Sequence, residues 1–493
     1  MRRWALSWAA VLLLLAAGCP GIPLDQLLPA QHGQHWLRFV QVTDIHVTDE
    51  ESPARMVTLD PFIYASWRSQ EAYTPQVLDA TIREINRIHW TGYFSSPGKI
   101  DFVIFTGDMV DNAQWNEFRW FMDIVDGGTV MPDSGELDGP LAPLDPEFNP
   151  NLPFTAQGLA KDIPWYLALG NHDLLGLGNF AVNYEDADAA QWFAPVSPTV
   201  ASFVGLTALD PPQQYLFPTG DQSLAILLAG SPPPFDPHTY QIDLAALPSG
   251  YVPPDPARHY LSRESIIRES FNTRSFPGGH GFSWNSLSSG RGYYSFKPKK
   301  DVPVRVIVLD TMEAEAMEGY IGADGAISYV QFDGFLKPEV NAARTAGEYV
   351  IVVTHHPSAS LKKITAARCV TPAEFTGYLT SEPNIVAHIC GHVHYSATIT
   401  HDGPHPYPEI ITCSLIDYPQ QARLIDLYFD PGTKTFDIRS TPVSHIRHAT
   451  ELSAESYVRM TSDTLVDPES PEWLERSANL DLSSIESIIQ EMK

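Results

Sequence analysis

Short apolar runs alternating with helix-patterned stretches set the rhythm of the first third of this chain. Leu37-Arg38-Phe39-Val40-Gln41-Val42-Thr43, Asp101-Phe102-Val103-Ile104-Phe105-Thr106 and Pro164-Trp165-Tyr166-Leu167-Ala168-Leu169 each predict a buried strand: they are short and rich in β-branched and aromatic residues. Between the first two, Val77, Ile82, Ile85 and Ile88 recur at helical spacing and predict a helix over 76–90. A second helix is predicted from Trp115 to Ile124, with Trp115, Phe118 and Trp120 on a core-facing side. From about 174 to 290 the rhythm breaks into Pro-, Asp- and Ser-rich sequence with Pro211-Pro212 and Pro232-Pro233-Pro234, expected as one long insertion with limited regular structure. The pattern resumes at Gly292-Tyr293-Tyr294-Ser295-Phe296 and Val304-Arg305-Val306-Ile307-Val308-Leu309. A helix from Ser328 to Ala346 follows, then strands at Tyr349-Val350-Ile351-Val352-Val353 and Asn384 to Ile389, and closing strands at 410–412 and 422–429. Strands alternating with helices argue for the α/β class. The main domain is expected over 37–445, with a polar, partly helical extension over 446–493.

Composition changes the picture in two places. The formal charge of −28 disfavours nucleic-acid polymers and anionic membrane surfaces as electrostatic partners. The first residues read as an export leader over 1–18, with Arg2 and Arg3 before an apolar core too short to span a bilayer. Leu15-Ala16-Ala17-Gly18-Cys19 resembles a bacterial lipobox with Cys19 as the lipidated residue; a plain cleaved leader with an incidental cysteine is the alternative. Residues 19–36, with Pro20, Gly21, Pro23 and Pro29, then read as a tether from a bacterial envelope membrane. Three further cysteines (369, 390 and 413) allow one bridge at most, and Cys390 reads as a small buried apolar residue.

Candidate chemistry sits where the strands end. In chain order these blocks are Asp44-Ile45-His46, Gly107-Asp108-Met109-Val110-Asp111, Gly170-Asn171-His172-Asp173, His355-His356-Pro357 and Gly391-His392-Val393-His394. Loops leaving the strands of an open α/β sheet converge at one edge, so five such blocks can meet. Asp44 and His46, like His392 and His394, are two apart, and on an extended backbone both side chains leave on one face. Oxygen and imidazole donors without thiolate suit iron, manganese or zinc. His355 and His356 are adjacent, so strand alternation lets only one reach the metals.

These blocks resemble the calcineurin-like metallophosphoesterase family, whose pattern runs Asp-x-His, Gly-Asp-x-x-Asp, Gly-Asn-His-Asp/Glu, His, Gly-His-x-His, and the resemblance spreads over residues 44–394. It implies a four-layer α-β-β-α sandwich of two mixed sheets with a dinuclear metal site. By the resemblance Asp44, His46 and His394 hold one ion, Asn171, His355 and His392 the other, and Asp108 bridges. It favours His355 over His356, which would then touch phosphate or support the ligands. His172 would meet the scissile phosphate, with Asp173 orienting its imidazole, and Asp111 reads as a loop-fixing acid. His280, in Pro277-Gly278-Gly279-His280-Gly281-Phe282, is a further candidate beside a mobile-loop reading. The expected function is hydrolysis of a small phosphomonoester or phosphodiester by a hydroxide shared between two ions, with no protein partner expected. The alternatives are an exported surface protein that binds metal or a partner without catalysis, and a structural surface protein in which the boxes are relics. The insertion is expected to shape substrate choice.

Overall fold

The computed structural model describes residues 33–50, 52, 68, 70–92, 98–134, 149–181, 235–236, 241–242, 255–313, 323–362 and 369–462. The expected leader, Cys19, most of 182–254 and the chain end past 462 lie outside them. Among the described residues no helix is long and apolar enough to cross a membrane.

Two mixed sheets stack face to face. The first contains β1 (Gln34–Val42), β2 (Phe102–Thr106), β3 (Trp165–Ala168), β10 (Gln421–Asp430) and β11 (Thr435–Ser444), in the order β11-β10-β1-β2-β3. Its β1, β2 and β3 run parallel, and β10 and β11 add an antiparallel edge. The second contains β4 (Tyr294–Phe296), β5 (Val304–Val308), β6 (Tyr349–Val353), β7 (Ile385–Cys390), β8 (Ala397–His401) and β9 (Tyr407–Ile411), in the order β4-β5-β6-β7-β9-β8. There β5, β6, β7 and β9 are parallel.

Alternation along the strands assigns the layers. Val304, Val306 and Val308 of β5, with Ile351 and Val353 of β6, join the core between the sheets. Ile307, Val350 and Val352 point the other way, into a second core with Leu336, Val340, Phe375 and Leu379. That outer layer is built by α5 (Lys337–Thr345) and α6 (Pro372–Ser381), the latter started by a Thr371–Glu374 capping box with proline in its first turn. On the far side α1 (Thr74–Thr91) and α2 (Trp115–Asp126) cover the first sheet, where Phe105 and Trp165 meet Phe121 edge-on. Facing residues Phe102 and Tyr166 instead pack on Phe296 across the sheet interface. The result is the α-β-β-α sandwich.

Differences from expectation lie in the less apolar segments. The 328–346 helix is interrupted: a turn at Tyr329–Gln331, a π turn at Phe332–Leu336, then α5. The described part of 174–290 carries two short helices, α3 (Arg263–Glu269) and α4 (Trp284–Ser289), each started by a serine N-cap (Ser262 and Ser283). A final helix, α7 (Glu451–Ser462), packs on α1.

Candidate metal centre

All five blocks emerge from the C-terminal ends of parallel strands: Asp44 after β1, Asp108 after β2, Asn171 after β3, His355 after β6, His392 and His394 after β7. The extended backbone expected at the first and last blocks is not what turns their side chains inward. Asp44 (φ 51°), His46 (φ 49°), Asp108 (φ 52°), His392 (φ 71°) and His394 (φ 59°) all adopt left-handed backbone. That conformation costs a non-glycine residue roughly 1–2 kcal/mol, and such strain clusters at functional sites. The glycine before Asn171 is required sterically, since a Cβ at Gly170 would lie 2.1 Å from Asp108 Oδ1.

One half of the centre is Asp44, His46 and His394. His46 Nδ1 lies 2.9 Å from Asp111 Oδ1 and His394 Nδ1 lies 2.6 Å from Asp417 Oδ2, so each ring donates from Nδ1 to a carboxylate. Both Nε2 atoms are left facing each other across 3.3 Å. Two neutral imidazoles so held would oppose lone pairs, which only a proton or a cation relieves. Asp44 Oδ2 accepts from Thr43 Oγ1 and the His392 amide, while buried Oδ1 has no hydrogen-bond partner and lies 3.3 Å from His394 Nε2.

The other half repeats this logic. His355 Nδ1 donates to the Thr106 carbonyl at 2.8 Å, which turns Nε2 towards Asp108 Oδ2 (3.2 Å) and Asn171 Oδ1 (3.1 Å). Asn171 donates its own Nδ2 to the Gly178 carbonyl, so its oxygen points inward as an acceptor. Asp108 stands between the halves, 3.8 Å from His46 Nε2 through the same Oδ2, with Oδ1 taken by the His172 amide. His392 is half-buried beside His355, their ring centroids 5.2 Å apart. Donor separations of 3.1–3.3 Å match the edges of a coordination shell with bonds of about 2.0–2.2 Å. Acceptors converging on one another, with an orphaned buried carboxylate oxygen among them, fit a pair of cations.

Metal-free, protons occupy the places of those cations. Burial opposes charge on His355 and His394, yet Asp108 and Asp44 raise His355 to about 9, and Asp417 and Asp44 raise His394 to about 9. Burial and His172 drive His46 down to about 4, and burial and His355 drive His392 down to about 3. Burial is outweighed at Asp44, which His355 and His394 pull down to about 2, and at Asp108, which His355 and His172 hold well below the usual carboxylate range.

Two expected roles are redrawn by the geometry. Asp173 does not orient His172: its carboxylate accepts from the amides of Asp108, Met109, Val110 and Gly170 and so clamps the Asp108 loop to its own. The His172 ring is set instead by the Asp111 carbonyl, 2.7 Å from Nδ1. His356 has both ring nitrogens engaged, by Thr311 Oγ1 (2.6 Å) and the Ala323 carbonyl (2.9 Å), and its ring packs against His392 with centroids 4.2 Å apart. His280 lies away from the centre, buried and stacked on Trp165 at 3.2 Å, its Nδ1 on the Trp165 carbonyl, because a buried ring there fills the core beside β3. Asp417, which no motif marks, joins the centre through His394 and is itself ion-paired with Arg68 at 3.0 Å.

Residues 37–223 match the family model described as Calcineurin-like phosphoesterase. That match contains the first three blocks and ends before the three candidate histidines of the second sheet. No curated protein matches the chain. Among solved structures, a dimetal phosphatase from Danio rerio is 12% identical, with 84% of this chain and 100% of that chain covered and a TM-score of 0.36. A sulfate thiohydrolase from Thermus thermophilus in complex with glycerol is 10% identical (88% and 60% covered, TM-score 0.34). A 5'-nucleotidase from Candida albicans is 11% identical (87% and 58% covered, TM-score 0.33). This chain therefore spans about three fifths of the last two. Likeness at that level says nothing of activity.

Proposed function

Residues 37–223 match the calcineurin-like phosphoesterase family model, and from that match we propose that the protein is a dinuclear metal-dependent hydrolase of a small phosphomonoester or phosphodiester. The observation that carries this reading is the convergence of imidazole nitrogens and acidic or amide oxygens around Asp108, at separations that only a shared proton or a cation relieves. Two ions of iron, manganese or zinc, held as described on either side of Asp108, would supply Lewis acidity at phosphoryl oxygens and activate water. The chain's own residues do the rest. Asp111, Asp417 and the Thr106 carbonyl fix the rings of His46, His394 and His355, so that each presents Nε2. His172, locked through Nδ1 on the Asp111 carbonyl, keeps Nε2 for a transferable proton. Burial opposes that proton, but Asp108 and Asp111 outweigh burial and raise the His172 pKa. Gly178 (φ 64°) keeps the space at Nε2 open, since a Cβ there would come within 2.2 Å of it. His172 can thus hold charge on a phosphoryl oxygen and give its proton to the leaving oxygen. A chain at −28 favours a small phosphate over a polyanion.

In this reading His172→Ala lowers kcat/KM on an aryl phosphate by about 10²–10⁴-fold, while metal analysis still finds two equivalents per chain. An unchanged rate in that variant would favour metal binding without catalysis. A wild type refilled with manganese or iron that turns over neither monoester nor diester would end the enzyme reading. The same proposal includes an envelope lipoprotein anchored through Cys19, supported by Leu15-Ala16-Ala17-Gly18-Cys19 alone. Cys19→Ser is then expected to move the protein from the membrane to the soluble fraction, and a variant that stays with the membrane would reject the anchor.

A further inference from the structure

A second donor cluster lies on the opposite, helix-covered face of the second sheet. His388 and Cys390 alternate outward from β7, and Glu409 of β9 pairs with His388 across the ladder. The ligand atoms of these three buried residues lie within 4.8 Å of one another. His401 of edge strand β8 reaches the same carboxylate, its Nε2 3.0 Å from Glu409 Oε2, and His388 Nδ1 lies 3.0 Å from that oxygen. Ser358 Oγ donates to it as well, at 2.5 Å. Its twin, Glu409 Oε1, is buried with no hydrogen-bond partner among the described residues, and so is the neighbouring Tyr407 hydroxyl. An orphaned carboxylate oxygen in a fully buried setting is costly unless a proton or a cation meets it.

The other side of His388 sharpens this. Thr354 Oγ1 gives its hydrogen to the His356 carbonyl (2.6 Å), so towards His388 Nε2 (2.7 Å) it can only accept. His388 therefore carries its proton on Nε2, and in the neutral ring Nδ1 turns a lone pair at a carboxylate oxygen. Either a second proton or a cation must sit between them.

We propose that His388, Cys390, His401 and Glu409 form a third metal site, for a structural zinc-class divalent cation. One thiolate, one carboxylate and two neutral imidazoles around a dication sum to zero charge, the arrangement a buried site favours, and the set suits tetrahedral zinc. The thiol proton leaves to solvent as the sulfur binds. His401, with its side chain 21% exposed, marks the entry path from the sheet edge. The ion would tie β7, β8 and β9 together directly beneath the turn that carries His392 and His394. Because the candidate catalytic centre holds no sulfur ligand, the two kinds of site have different spectra.

The test is cobalt titration of the full chain, read by absorbance and metal analysis. A thiolate-to-cobalt charge-transfer band is expected in the wild type, with three equivalents bound. Cys390→Ser should abolish the band and leave two. His401→Gln, at the accessible edge, keeps the proposal testable where the serine variant misfolds, because it should weaken the cobalt concentration dependence of the band about tenfold or more. A cobalt-saturated wild type without the band, or a band that survives Cys390→Ser, overturns the site. If the catalytic centre binds no metal, one equivalent with the band intact remains, so failure of the phosphoesterase reading is told apart.

Discussion

Asp108→Asn is expected to lower kcat/KM on aryl phosphates by about 10³-fold or more and to cut bound metal below two equivalents per chain, with the fold intact. One oxygen of the carboxylate reaches both halves of the centre, 3.2 Å from His355 Nε2 and 3.8 Å from His46 Nε2. The amide replacement keeps an oxygen to accept from the His172 amide, which holds the two loops together. Its NH2 group would face His355 Nε2 as a donor, satisfying in protein terms the place a cation should take. The variant thus stays folded while losing the charge that holds two ions together. Lewis-acid stabilisation of a phosphoryl transition state is worth several kcal/mol, and each 1.4 kcal/mol is about tenfold in rate. A melting temperature equal to that of metal-free wild type, with lost metal and lost turnover, is the expected triplet. A variant within tenfold of wild type that still binds two ions would remove Asp108 from the bridging role.

How much of this was legible in the chain follows from what each residue has to satisfy. Continuous apolar runs such as 349–353 and 102–106 have to be central strands, because both faces of each sheet are covered. The ligand blocks were legible because they directly follow those runs. β11 was not: Thr435, Asp437 and Arg439 alternate with half-buried Phe436 and Ile438 on an exposed edge, a pattern with little apolar content. The left-handed backbone at Asp44, His46, Asp108, His392 and His394 has no sequence signal either, since none is glycine. Asp173 was misassigned for a related reason: a carboxylate that accepts from four backbone amides looks, in one dimension, like one that holds its neighbour's ring. Asp417 had a usable signal. It follows the predicted closing strand at 410–412, and that strand proves parallel to β7, so its end opens on the same edge as the others.

Metal loading of this centre should release two protons per chain at pH 7. Each half contains one histidine that is already neutral, His46 at about 4 and His392 at about 3, and one that carries a proton until about pH 9, His394 and His355. Two units below its pKa a group is about 99% protonated, so each ion displaces one proton at pH 7. Apparent affinity should therefore fall about tenfold per pH unit per ion from roughly pH 8 down to pH 5, and more steeply only as His46 and then His392 begin to compete. The metal-free fold responds with the opposite sign. His355 and His394 have folded pKa values above the unfolded value of about 6.5, so their contribution to stability is fully present below pH 6.5 and lost as pH rises through about 9. Asp44, depressed to about 2, contributes above pH 4 and loses that contribution as pH falls towards 2. Alkaline pH thus loosens the empty centre while it tightens the filled one, and metal should raise the melting temperature far more at pH 8.5 than at pH 6. Calorimetric titration with manganese or zinc in buffers of different ionisation enthalpy counts the protons. A binding heat independent of the buffer would mean that His355 and His394 do not give up protons to the ions, and would dissolve the two-half description of the centre.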